Sequence, residues 1–115
     1  MSLIVLLVWI HTLSDFFLQT DRVAKGKSGS TPILLLHILI YSLPFLVLLH
    51  TYPLASVALF ILVNAFLHFV TDYWSSRLTT AFWKKEMRHE FFCTIGVDQA
   101  IHITCLILTA NWFLL

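Results

Sequence analysis

Charge is scarce in this chain. Asp, Glu, Lys and Arg make up 11% of its 115 residues, where a soluble domain carries about 25%. A soluble chain this short has too much surface to do without polar side chains, so the 59% apolar fraction implies a surface that faces lipid. A net charge of +1 gives no reason to propose nucleic acid as a partner. Cysteine is nearly absent. Cys93 and Cys105 lie about 18 Å apart if one helix carries both, too far for a disulfide between them, so the redox compartment is not legible. The N-terminus lacks the basic start and small-residue cleavage site of a secretory signal, and its apolar stretch is expected to stay in the membrane domain.

What the chain has is apolar runs. Four stand out, roughly residues 2–19, 31–50, 54–74 and 91–115, each close to the ~20 residues that carry a helix across ~30 Å of hydrocarbon. Barrel strands would be about half as long. The pattern predicts a single all-α domain over residues 1–115, a four-helix transmembrane bundle of up-down topology. Pro32 sits where a first helical turn tolerates proline, Pro44 predicts a kink in the second segment, and Pro53 marks a tight link to the third. All seven Lys and Arg fall in two connections, with Arg22, Lys25 and Lys27 in the first and Arg77, Lys84, Lys85 and Arg88 in the third. Clustered basic residues mark the cytoplasmic side, which puts both termini outside. Residues 77–90 mix Leu78, Phe82 and Trp83 with basic residues and suggest a short helix lying in the interface. Segments one and three share His-x-x-[Ser/Thr]-Asp-[Phe/Tyr], at His11–Phe16 and His68–Tyr73, the trace expected of a repeated two-helix unit.

Ionisable residues inside a bilayer are costly and usually functional. Three Asp fall within the apolar segments, each four residues from a His: His11/Asp15, His68/Asp72 and Asp98/His102. Four residues is one helical turn, so each pair shares a face. In an up-down bundle the reversed order in the last pair cancels the reversed direction of its helix. All three Asp then lie nearer the cytoplasm and all three His about 6 Å deeper, with His37 near the depth of Asp98. Such a zone needs compensation in low dielectric, and a divalent cation supplies it. His nitrogen and Asp oxygen suit zinc, with iron or manganese as alternatives, and helical bundles build such centres from inward side chains. The candidate metal ligands are His11, Asp15, His37, His68, Asp72, Asp98 and His102, enough for one ion or two. Competing readings are a cluster that only glues helices together and a haem site. His50, His89 and the exposed Glu86-x-x-His89 read as interfacial residues.

The spaced motifs His11-x3-Asp15-Phe-x-Leu-Gln19, His37-x3-Tyr41, His68-x3-Asp72 and Asp98-Gln99-x2-His102 resemble a family of small bacterial and phage membrane proteins catalogued only as a domain of unknown function. The resemblance covers nearly the whole chain and implies a bacterial inner-membrane location. It implies no activity. More loosely, the pattern is similar to membrane-bound metal-dependent hydrolases that gather His and Asp from several helices. The expected function is therefore metal-dependent hydrolysis of a lipid or membrane-proximal ester or phosphoester. Asp15 and Asp72 are the candidate general bases, and Arg22, Lys25 and Lys27 the candidate residues at the substrate entrance. The alternative from another class is a metal-ion or proton carrier using the same ligands. Membrane lipids are the expected partners, with self-association into a homo-oligomer left open.

Overall fold

A computed structural model describes residues 2–115. It is helical, with no strand among the described residues. Helix α1 spans Leu3–Thr12 and runs on into a single π-helical turn, Leu13–Phe17. Helix α2 is short, Asp21–Gly26; α3 spans Thr31–Ser42 and continues as a 3-10 helix over Leu43–His50; α4 spans Leu54–Lys84 and α5 Arg88–Phe113. The starts follow local chemistry. Ser2, Thr20 and Ser30 each turn a hydroxyl oxygen onto a free backbone N–H, of Val5, Val23 and Ile33 respectively, the usual way a first turn is satisfied. Pro32 falls in the first turn of α3.

Three helical stretches are long and apolar enough to cross a membrane: Thr31–His50, Leu54–Lys84 and Arg88–Phe113. The first apolar helix, Leu3–Phe17, is shorter, about 22 Å at 1.5 Å per residue. It stops at Phe17, and Thr20, three residues later, caps the start of the next helix at Asp21. Pro44 has the effect expected of a proline without an N–H. The α-helix ends at Ser42 and the chain tightens into 3-10 geometry. The larger 3-10 rise keeps the whole Thr31–His50 stretch at about 34 Å, enough for a bilayer core.

The region expected as a separate interfacial helix over 77–90 is divided differently. Helix α4 does not end at Trp74. It continues to Lys84, since residues 75–84 hold neither Gly nor Pro and their polar groups turn back on the helix itself. Ser76 Oγ donates to Asp72 O, and Arg77 Nη1 to Tyr73 O. Polarity marks where a helix leaves lipid; it does not break the helix. The break comes at Lys85–Met87, where Met87 N donates to Phe82 O at 2.9 Å and Glu86 N to Trp83 O at 3.0 Å, the paired bonds of a Schellman C-cap. Glu86 adopts φ 57°. At about 46 Å, α4 is as long as the molecule's 46 Å long axis, and α5 returns along it as the most extensive helix pair.

Packing divides the bundle in two. Away from the basic connections, Leu7, Tyr41, Phe45, Val57, Phe60 and Leu106 form a buried apolar core drawn from every long element. Toward the basic connections the interior turns polar, with His11, Asp15, His37, His68, Asp72 and His102 buried. Outward faces carry Leu39, Leu62, Phe66 and Leu108, all more than half exposed, as a lipid-facing surface requires. The left-handed conformation at Glu86 yields a local prediction. A non-glycine residue there costs about 1 kcal/mol, so Glu86→Gly raises thermal stability in detergent micelles by about that amount, read as a higher Tm.

Candidate functional site

The polar half is assembled by helical periodicity on three elements and by a defect on the fourth. On α4, Asn64, His68, Asp72 and Ser76 recur at steps of four and are all buried. On α5 the buried His102 precedes Leu106 and Ala110 on the same face. On α3, His37 and Tyr41 face inward together. On the first apolar helix the π turn, closed by Leu18 N donating to Leu13 O at 3.0 Å, widens the repeat so that neighbours Ser14 and Asp15 are both buried. Such single π turns recur at functional sites. Asp15 consequently points past its own His11 and across to the other helices.

Four atoms converge. His37 Nε2 lies 3.1 Å from His68 Nε2, 3.1 Å from Asp15 Oδ1 and 3.2 Å from Asp72 Oδ2. His68 Nε2 lies 3.3 Å from Asp72 Oδ2 and 3.6 Å from Asp15 Oδ1. A tetrahedral zinc site with ligands at 2.0–2.1 Å has ligand–ligand edges of about 3.3 Å, and these five separations, 3.1 to 3.6 Å, are close to that spacing. Asp15 Oδ1 is buried with no hydrogen bond aligned on it, although two imidazole nitrogens stand close by. Two imidazole nitrogens facing each other beside two carboxylates form a donor set that a cation completes. Asp15, His37, His68 and Asp72 could therefore hold a metal ion.

A second set shares Asp15. Its ligand atoms come from Asp15, Asp98 and His102, all within 4.8 Å of one another. His102 Nε2 lies 3.2 Å from Asp98 Oδ1 and 3.0 Å from Asp72 Oδ1, so Asp72 presents one oxygen to each side. This set lies at a cavity of about 420 Å³, whose floor includes Asp15, Asp98 and Gln99 and whose rim includes Lys25, Lys27 and Lys84. All four residues of the first set are buried, whereas in the second set Asp98 is only partly buried and lines the cavity together with Asp15.

The DUF3307 family, described as proteins of unknown function, matches residues 3–115. The chain belongs to that family. No curated protein and no solved structure matches it, so the looser likeness to metal-dependent hydrolases has no relative behind it.

Several expected residues take different places within this family member. His11 was expected as a ligand, but both its nitrogens are engaged: Nε2 with Gln99 Oε1 at 2.7 Å and Nδ1 with the Tyr41 hydroxyl at 3.1 Å. Its Nε2 stands 3.8 Å from Asp15 Oδ2. The Gln99 amide nitrogen donates to Asp15 Oδ2 at 3.0 Å and Asp98 Oδ2 at 3.1 Å. Its oxygen therefore accepts from His11, and His11 holds carboxylates in place through Gln99. Asp72, expected as a general base, is 1% exposed and is enclosed by His37, His68, His102 and the Lys27 ammonium, 2.8 Å from Oδ2. It does not line the cavity, and it belongs to the set that could hold a metal ion. Of the three cations expected at an entrance, Arg22 is exposed and off the cavity, Lys25 and Lys27 line it, and Lys84 takes the third place.

Gln99 appears in the sequence only as part of the Asp98-Gln99-x2-His102 motif, with no role attached, and Ser75, whose hydroxyl donates to Asp98 Oδ1, carries no separate signal. Gln99 lies a third of a turn off the Asp98/His102 stripe, and Ser75 follows the expected end of its span. Beyond the cluster, Asn64 donates to Thr109 Oγ1 at 2.7 Å. Aromatic packing holds the imidazoles in orientation, with Tyr41 and His102 each 3.9 Å from His68, ring centre to ring centre. Tyr41→Phe keeps that packing but strips the donor from His11 Nδ1, leaving a buried acceptor unpaired. The expected result is a loss of about 1–3 kcal/mol in stability with zinc affinity little changed, measured by unfolding and by metal titration of the same preparation.

Proposed function

We propose that this chain is an intramembrane metal-dependent hydrolase acting on a lipid or membrane-proximal ester or phosphoester. One observation carries the reading: a buried four-ligand set and a three-ligand set share Asp15, and Asp15 and Asp98 of the second set line a cavity while its His102 is buried. Closed tetrahedral sites are structural, and sites with three protein ligands and a free position are catalytic. On this reading an ion among Asp15, His37, His68 and Asp72 locks the carboxylates in place, and the chemistry occurs beside Asp98 and His102. Zinc suits the mixed nitrogen and oxygen donors and the tetrahedral separations. Bound in the second set, such an ion would supply a Lewis acid that lowers the pKa of a bound water to about 7. Of the two carboxylates that line the cavity, Asp15 and Asp98, the one with an oxygen left off the ion would take the proton released by the attacking water. Gln99 and Ser75 hold Asp98 for that role.

Transport fits less well. A carrier needs polar groups along its whole path, and beyond the cluster the interior is packed with Leu7, Phe45, Leu48, Phe60 and Leu106, none more than 2% exposed. Haem fits less well too. His68 and His102 stack directly on each other, their planes 14° apart, and the carboxylates occupy the space beside the imidazole nitrogens.

The reading places Leu3–Phe17 in the bilayer as a fourth, shorter element beside the three spanning helices, in an up-down bundle with both termini outside a bacterial inner membrane. The basic connections then face the cytoplasm. A reporter active only outside the cytoplasm, fused after Leu115, is expected to be active; signal only from its cytoplasmic counterpart rejects this orientation.

Protein purified without added metal is expected to carry stoichiometric zinc, up to two ions per chain. His68→Ala removes the ion of the four-residue set. Asp98→Asn spares it and empties the three-residue set. Metal analysis of wild type and both variants checks this, and a metal-free wild type leaves helix-to-helix hydrogen bonding as the account of the cluster.

A further inference from the structure

We infer that the cavity is a headgroup site for a phosphate monoester carried on a long apolar chain, and that this is the substrate class of the three-residue metal set. The inference rests on the hydrolase reading for its chemistry, but its evidence is the cavity itself. At about 420 Å³ the space falls in the range of small-ligand sites. Its polar and apolar groups are segregated in a way that fits an amphiphile.

The rim carries three lysines, Lys25, Lys27 and Lys84. Among the described residues only Lys27 of these is in an ion pair, with Asp72. Lys25 and Lys84 are exposed and come from different elements, α2 and the end of α4, and the fold brings both to the lining of one cavity. Two ammonium groups at one cavity suit a compact dianion, which accepts charge-assisted hydrogen bonds from both. The Thr80 hydroxyl also lines the space. The floor, with Asp15 and Asp98, repels such a dianion unless cations sit on it, so the phosphate group is drawn to the metal sets when they are filled and held only at the rim when they are not.

The remaining wall is apolar. Phe16, Trp83, Phe91 and Ile95 line it, and Phe16, on the first apolar helix, is 53% exposed. A chain attached to a phosphate in the cavity can therefore lie along this wall and reach the apolar outer face of that helix past Phe16. A free phosphate or a water-soluble sugar phosphate gains nothing from that wall. Hydrolysis of such an ester balances with one water. Its oxygen bonds to phosphorus as the bond from phosphorus to the chain oxygen breaks. One water proton passes through the cavity-floor carboxylate to the leaving oxygen, and the other stays on the phosphate product.

Binding is measured by native mass spectrometry on the full chain released from detergent, with dodecyl phosphate, inorganic phosphate and dodecanol as probes, and zinc content is determined on the same samples. Dodecyl phosphate is expected to bind at least about tenfold more tightly than either part alone. Lys25→Ala and Lys84→Ala are each expected to weaken it by about tenfold, the worth of one charge-assisted contact. Neither change disturbs a buried group, so both variants fold. Zinc-loaded protein that binds dodecyl phosphate no better than inorganic phosphate, or that is indifferent to both lysine changes, overturns the headgroup assignment and leaves the metal reading standing. Lysine-dependent binding by protein that holds no zinc supports the headgroup site and rejects the hydrolase reading.

Discussion

Three carboxylates inside a lipid-facing bundle are the constraint on which the rest of this structure depends. Burying an unpaired charge in low dielectric costs several kcal/mol even after relaxation, and Asp15, Asp72 and Asp98 lie within one connected cluster. The only fixed positive charge that reaches them is Lys27 on Asp72, among the described residues. Everything else that offsets the cost is an oriented dipole or an imidazole. Gln99 bridges two carboxylates, Ser75 holds a third oxygen, and His37, His68 and His102 surround Asp72. Two imidazole nitrogens and two carboxylate oxygens meet at the centre of this network, where they could hold a metal ion.

That constraint explains features that look unrelated. The π turn is a defect in a short helix, yet it swings Asp15 into the centre of the bundle. The connection between α1 and α3 is built from small helical pieces that bring Lys27 back over the cluster. Extending α4 past the apolar stretch carries Ser75 and Ser76 beside the cluster and Lys84 to the rim of the cavity. The apolar core at the far end does the opposite job. It fills that half with buried apolar side chains, and the cavity lies at the polar half.

The dry half and the polar half also share their helices residue by residue. On α4 the same inward stripe runs from Val57 and Phe60 through Asn64 to His68 and Asp72, and Tyr41 belongs to both, packing against Phe45 while donating to His11. Rigid packing in one half thus orients the ligands of the other. This is the arrangement a preorganised site needs, since side chains held by close packing do not have to be ordered again when a ligand binds.

By itself the sequence determined the helical class, the lipid-facing surface, the inward stripes on α3, α4 and α5, and the set of buried Asp and His, because these follow from composition and from a fixed 3.6-residue repeat. Family membership was legible for the same reason: the motifs are spacings. What the tertiary structure decided is how the candidates divide. A one-turn pairing of His11 with Asp15 assumes a regular helix, and the π turn removes that assumption, so Asp15 joins His37 and His68 while His11 is taken up by Gln99 and Tyr41. Asp72 and Asp98 have the same local pattern, yet one is sealed and the other faces a cavity, since helix spacing sets which face a residue occupies but not what stands opposite. Lys84 replaced Arg22 at the rim for a like reason. Charge along a chain is readable, but which charges line one cavity depends on where helices end, and α4 ends ten residues later than its hydrophobicity suggests, because a helix with good internal hydrogen bonds does not stop where the lipid does.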